Sequence, residues 1–171
     1  DGIELDSISG RIAKKLYPKS NIEVDGYENV NLPDSFFDVA IGNIPFGNFK
    51  VSDKRYYKLN FSIHDYFFAK TIDKVRPGGI IAFITSRYTM DKANATVRKY
   101  INEKAESIGA IRLPNNAFKA SAGTEVISDI VFLQKRERPT VLESDWLFTE
   151  NDELGNTINS YYINNPEMIL G

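Results

Sequence analysis

A chain of 171 residues with 42% hydrophobic content and a net charge of −2 can bury one ordinary core, and no run approaches the roughly 18 apolar residues of a membrane span. The absence of cysteine excludes disulfides and thiolate metal sites, and a single histidine argues against zinc. No basic-then-apolar leader opens the sequence, so the expected setting is the cytoplasm. From Pro139 onward there are six acids and no Lys or Arg, which leaves residues 1–138 at +4 against −2 for the whole. The body is mildly basic and the tail acidic.

Gly2-Ile3-Glu4-Leu5 reads as a short strand, followed by a helix that Asp6 or Ser7 can cap and that runs through Ile8, Ile12, Ala13 and Leu16 before Pro18. Asn21–Val24 reads as a second strand. Phe37–Ile41 reads as a third, apolar enough to be buried on both faces. This strand runs into Asn43-Ile44-Pro45-Phe46, which places an amide, a backbone carbonyl and a flat apolar ring at one point. Those groups can hold an exocyclic amino group and stack the ring that carries it.

Lys50, Lys54, Arg55 and Lys58 follow at once, opposed only by Asp53, and a basic loop there suits a phosphate backbone as well as plain solvation. Ile63–Val75 has helical spacing and closes on Arg76-Pro77-Gly78-Gly79. Ile80–Thr85 is a nearly continuous apolar strand. A helix over Ala95–Glu106 and strands over Gly109–Leu113 and Ile127–Gln134 complete an alternating pattern that implies a mostly parallel sheet covered on both sides. His64 is expected to bond at a helix end rather than to catalyse. Trp146 and Tyr161-Tyr162 are expected to anchor the tail. Asp65 and Asp129 lie on separate elements that give no reason for proximity.

The Asn43–Phe46 motif resembles the catalytic loop of amino-group methyltransferases, above all the DNA adenine-N6 enzymes, whose usual form is Asn/Asp-Pro-Pro-aromatic. Ile44 replaces the first proline. More broadly, Ile63-His64-Asp65-Tyr66-Phe67-Phe68, Arg76-Pro77-Gly78-Gly79, Gly109-Ala110-Ile111-Arg112-Leu113-Pro114, Asp129–Lys135 and the tail Tyr161–Gly171 resemble the methylase portion of large helicase-methylase proteins of phages, plasmids and conjugative elements. The resemblance implies a Rossmann-like, S-adenosylmethionine-dependent methyltransferase fold of class α/β, its sheet mostly parallel with an antiparallel last strand. It also implies that the family's first strand and Gly-rich turn precede Gly2. The second and fourth strands of that fold would then leave a gap, pair directly or borrow a strand.

By the same resemblance, residues 1–138 are part of a catalytic domain, and 139–171 form a connector that packs on it or leads to a further domain. Glu4 and the adjoining Leu5 mark the ribose side of the cofactor, and Tyr27-Glu28 lie where its adenine would sit, although a plain turn is the favoured reading there. The Asn43 side-chain oxygen and the Ile44 carbonyl would each accept an N6 hydrogen, and Phe46 would stack the flipped adenine. Phe118 would form a second aromatic wall, or else pack in the core. Loss of the first proline is expected to loosen the loop backbone. The function implied is adenine-N6 methylation of DNA, within a protein that also carries a covalently linked helicase or other domains. The alternatives are methylation of another planar amine or amide (guanine N2 in RNA, a glutamine side chain) and a non-catalytic nucleic-acid-binding module that keeps the fold.

Overall fold

The computed structural model describes residues 1–171, with the side chain of Ser121 left aside. In chain order the elements are β1 (Gly2–Glu4), α1 (Ser7–Leu16), β2 (Ile22–Val24), β3 (Phe37–Asn43), α2 (Ile63–Lys74), β4 (Val75–Ser86), α3 (Tyr88–Asp91), α4 (Thr96–Lys104), β5 (Ala105–Arg112), α5 (Lys119–Ala122), β6 (Ser128–Lys135), β7 (Thr149–Asn151), β8 (Thr157–Asn159) and α6 (Ser160–Asn164). Asp6 caps α1 by accepting the Ser9 N–H at 2.7 Å, and Lys14 and Lys15 in its last turn complement the helix dipole. Gly10 lets α1 lie directly on β2, because a Cβ there would meet Val24 Cγ2 at 2.5 Å. No helix among the described residues is long and apolar enough to cross a membrane.

The main sheet has the order β3-β4-β6-β5. β3 and β4 run parallel through the α2 crossover, and β6 lies antiparallel between β4 and β5. β1 and β2 form a separate parallel pair. Of the three arrangements open to the second and fourth family strands, a gap is the one found: β1 pairs only with β2, and β3 only with β4.

This corrects the expectation that the Phe37–Ile41 strand is buried on both faces. As an edge strand, β3 leaves Val39 52% and Ile41 80% exposed, and Leu5 after β1 is 75% exposed. An apolar run reports that a strand is meant to be covered, whereas a neighbour must be present to cover it.

The boundaries of β4, α4 and β5 also differ from expectation, β5 beginning at Ala105 and not at Gly109. β4 starts at Val75, and Arg76–Gly79 form a bulge within it, because the register to β3 jumps from Phe37↔Val75 to Val39↔Ile80. Gly78 takes φ +76°, a conformation suited to glycine, and at Gly79 a Cβ would approach the Asp38 carbonyl oxygen to 2.8 Å. α4 ends at Lys104, two residues early, since Ala105 and Glu106 already pair with β6. The β7–β8 hairpin was not foreseen.

The acidic tail packs on the body as part of one core. Trp146, Leu147 and Tyr162 join Phe68, Ile72, Ile81, Met90, Ile101, Val131 and Leu133 in a single buried cluster. Trp146 Nε1 donates to Asn102 Oδ1 at 3.1 Å, Arg98 donates to the Leu147 carbonyl, and Asn159 donates to the Met90 and Trp146 carbonyls. Arg112 lies buried between Asp91 and Asp129, each at 2.9 Å, with its guanidinium 4.3 Å from the centre of the Tyr162 ring. Trp146→Ala removes a fully buried indole and strands the Asn102 oxygen, so we expect a loss of about 3–5 kcal/mol in urea unfolding. A loss below about 1 kcal/mol would show that the tail contributes little to the core.

Candidate active site

The carboxyl ends of β3, β4 and β5 and the amino end of β6 share one rim of the main sheet, as the pairs Asn43↔Ile84, Ser86↔Ser128 and Arg112↔Asp129 establish. In open α/β sheets this rim is where ligands bind, because the strands end there and their loops diverge. Asn43 closes β3 on this rim with its side chain exposed. Pro45 is exposed as well, and Phe46 is half-buried. The loop between β5 and β6 leaves the same rim and carries Phe118, half-buried, just before α5. Topology therefore puts Phe118 and the Asn43–Phe46 loop on one side of the molecule.

Ile44 reverses an expectation. Its side chain is buried at 4% exposure in the main core, and its N–H donates to the Ile84 carbonyl at 3.1 Å. Proline has no N–H and cannot make that bond. The departure from the usual motif thus adds one rung to the β3–β4 ladder and an apolar anchor beneath the loop, so the backbone is held rather than loosened. The Ile44 carbonyl and the Asn43 amide start from a pinned position.

Behind the loop lies the start of α2. His64 and Asp65 are both buried. Ser62 Oγ donates to Asp65 Oδ2 at 2.6 Å and sits 3.2 Å from His64 Nε2, in keeping with the helix-end role read from the sequence. Burial lowers the His64 pKa, and Lys92 adds to that, while Asp65 and the Gly47 backbone oppose it. A depressed histidine pKa gives stability that is complete above the unfolded value near 6.5 and lost as pH falls through and below it. The unfolding midpoint should therefore drop between pH 7 and pH 5, and His64→Gln should reduce that drop. Parallel pH profiles for the two proteins would exclude His64 as the cause.

The remaining expected residues fall into two groups. Glu4 ends β1 half-buried, its Oε1 accepting the Asp6 N–H at 2.8 Å, and Leu5 is open to solvent. Tyr27 and Glu28 lie in a turn after β2, and Tyr27 faces α2 instead of an open site. Its ring packs 4.7 Å from that of Phe67, its hydroxyl shares a 2.9 Å bond with Thr71 Oγ1, and burial pushes its pKa up to about 12. The Glu28 carboxylate folds back over Gly26.

Among the expected phosphate-binding residues, Lys54 and Lys58 are exposed, and Lys50 Nζ donates to Asn60 Oδ1 at 2.6 Å. Arg55 is turned to internal partners: Asp34 at 2.7 Å and Asp73 at 2.9 Å.

The sequence reading missed the lysines that hold this region together. Lys70, buried on α2, donates to the Tyr27 and Val30 carbonyls and to Asp53 at 3.2 Å, while Lys74 donates to the Leu32 carbonyl and to Asp34. Burial lowers the Lys70 pKa against the pull of Asp53. The 70/74 spacing, which sets both lysines on one face of a largely buried helix, was the available signal.

The sequence profile of the Eco57I restriction-modification methylase family matches residues 4–118. The "Defense against restriction protein B" of Escherichia phage P1 is 34% identical over 138 residues; the alignment covers 77% of this chain but 6% of the phage protein, so the chain spans a small part of that relative's length. Among solved structures, a modification subunit assigned to a type I restriction enzyme from Vibrio vulnificus superposes with a TM-score of 0.64 at 16% identity, over 93% of this chain and 46% of that one. A protein from Listeria monocytogenes assigned to the class I S-adenosylmethionine-dependent methyltransferases superposes with a TM-score of 0.58 at 20% identity, over 79% and 44%. The fold is the Rossmann-like one of these methyltransferases, and the chain belongs to the Eco57I restriction-modification methylase family.

Proposed function

We propose that the chain is the catalytic part of an S-adenosylmethionine-dependent DNA methyltransferase acting on the N6 amino group of adenine, within a longer protein that carries further domains such as a helicase. The observation that supports this reading best is the Asn43–Phe46 loop, which ends β3 on the ligand-binding rim with the Asn43 amide exposed and the backbone pinned at Ile44. Membership of a restriction-modification methylase family supports DNA as the substrate.

The N6 lone pair is delocalised into the adenine ring, so the amine is a poor nucleophile until its nitrogen becomes more tetrahedral. The Asn43 oxygen and the Ile44 carbonyl each accept one N6 hydrogen and stabilise the positive charge that grows on nitrogen. Phe46 stacks the flipped base, which is worth about 1–3 kcal/mol and offsets part of the cost of unstacking it. Glu4 fits the cofactor: held at the strand end by the Asp6 N–H, its carboxylate has lone pairs left for two vicinal ribose hydroxyls. S-adenosylmethionine, when bound, supplies the electrophilic methyl group.

The test is to incubate the complete protein with cofactor and, in parallel, DNA, RNA or a glutamine-bearing protein, and to identify the methylated nucleoside or residue by mass spectrometry. N6-methyladenine is the expected product. Methylated RNA guanine or protein glutamine as the only product would overturn the reading.

A further inference from the structure

Residues 49–63 form a closed surface loop whose ends are tied by the Ile63 N–H donating to the Phe49 carbonyl at 2.9 Å. The loop starts three residues after Phe46, and the Gly47 backbone packs against the Phe49 ring. It encloses a hollow of about 320 Å³ lined by Lys50, Ser52, Tyr56, Tyr57, Phe61 and Tyr66, among others. Neither Asn43, Phe46 nor Glu4 lines it, so this hollow is separate from the target-base site.

Its construction is specific. Tyr56 and Tyr66 form a buried floor, their rings edge to face at 5.8 Å. Their hydroxyls are anchored below, Tyr56 donating to Asp73 at 2.8 Å and Tyr66 to Asp53 at 2.7 Å. Asp53 is in turn paired with Lys70, so the floor offers buried aromatic surface and no free carboxylate. Tyr57 stands 61% exposed as one wall, and Phe61 is half-buried against Tyr100. At the mouth, Asn60 adopts φ +56° and accepts from Lys50 Nζ, while Lys54 and Lys58 stand exposed on the same loop.

We propose that this hollow binds an unpaired nucleotide flanking the target adenine, its base stacked on Tyr57 beside Phe61 and resting above the tyrosine floor, and its phosphate met by Lys50. The inference rests on the nucleic-acid reading above and extends it to a second subsite. The volume lies at the lower end of the roughly 300–1,000 Å³ of ligand pockets, which suits one base. Aromatic faces with a cationic rim are the recurring means of holding single strands, whereas a paired base has no free face to offer. Lys50 in the lining, no carboxylate among the lining residues, and Lys54 and Lys58 exposed on the same loop give the mouth the sign that a phosphate requires.

The experiment uses the complete protein and fluorescein-labelled single-stranded DNA carrying one adenine target, with binding read by anisotropy. Tyr57→Ala should weaken binding about 5- to 150-fold, the equivalent of one lost stack, and Tyr57→Phe should restore it. Lys50→Gln should reduce the salt slope by about 0.7, the value for one phosphate on a single strand. An abasic substitution at one flanking position should weaken the parent and leave Tyr57→Ala unchanged, which identifies the occupant. Tyr57 is exposed, so its replacement leaves the core intact.

Unchanged affinity in Tyr57→Ala, or equal losses at every abasic position, would overturn the subsite even if adenine is methylated. Loss of affinity in Tyr57→Ala by a protein that methylates no adenine would sustain the subsite and sink the assignment of the reaction.

Discussion

Asn43→Ala in the complete protein should lower the methylation rate by about two to three orders of magnitude while leaving affinity for DNA within a few-fold of the parent. The amide oxygen acts on charge that appears only as the N6 nitrogen turns tetrahedral, and loss of one preorganised group of that kind costs about 100- to 1,000-fold. Ground-state binding rests on stacking and phosphate contacts, which the substitution does not touch. Since Asn43 is exposed at the end of β3 and Ile44 carries the ladder bond and the core contact, the loop backbone survives the change. The measurement is single-turnover transfer of a labelled methyl group, with anisotropy for binding. Equal turnover by mutant and parent would sink the proposed mechanism. Parallel loss of rate and DNA affinity would move Asn43 from catalysis to substrate binding.

The second large effect concerns the cofactor. Residues 1–171 on their own should show no saturable S-adenosylmethionine binding below about 1 mM by calorimetry, whereas the complete protein should bind it clearly. The reasoning is one of magnitudes. Glu4 offers hydrogen bonds to a charged group, worth about 1.5–3 kcal/mol, and a dissociation constant of 1 mM already requires about 4.1 kcal/mol. The rest has to come from backbone held between β1 and β3, and those two strands are unpaired on their second edges. Tight binding by residues 1–171 would show that the gap between the two sheets lies off the cofactor's path.

The same gap explains where sequence and structure part company. β1, α1, β2, α2, β4 and β6 were legible because each depends on local chemistry: the Asp6 cap, the apolar spacing from Ile63 to Ile72, the continuous run from Ile80 to Thr85. The burial of β3 was misread because hydrophobicity records the environment a strand is suited to, and its neighbour is a tertiary fact. The Asn43–Phe46 loop likewise stood out by its functional groups, whereas its rigidity did not. Only the pairing of β3 with β4 puts the Ile44 N–H opposite the Ile84 carbonyl and turns an expected weakness into an anchor.

Charge shows the division most plainly. The sequence by itself determined that four cations follow the Asn43–Phe46 loop, since that is a matter of order along the chain. The tertiary structure alone decided their roles: Arg55 is drawn to Asp34 and Asp73, Lys50 is aligned by Asn60, and Lys54 and Lys58 remain free. Asp53, which in sequence is the only acid opposing them, is taken out of the account by Lys70 and Tyr66 from a helix begun ten residues later. The alternation of strands and helices was enough to name the fold, and the Asn-Ile-Pro-Phe motif to propose the chemistry, because backbone propensity and functional-group identity are local properties. Which groups face open space, which are spent on one another, and how the aromatic hollow beside the loop is shaped are set by contacts between residues distant in sequence, and sequence spacing alone carries no information about those.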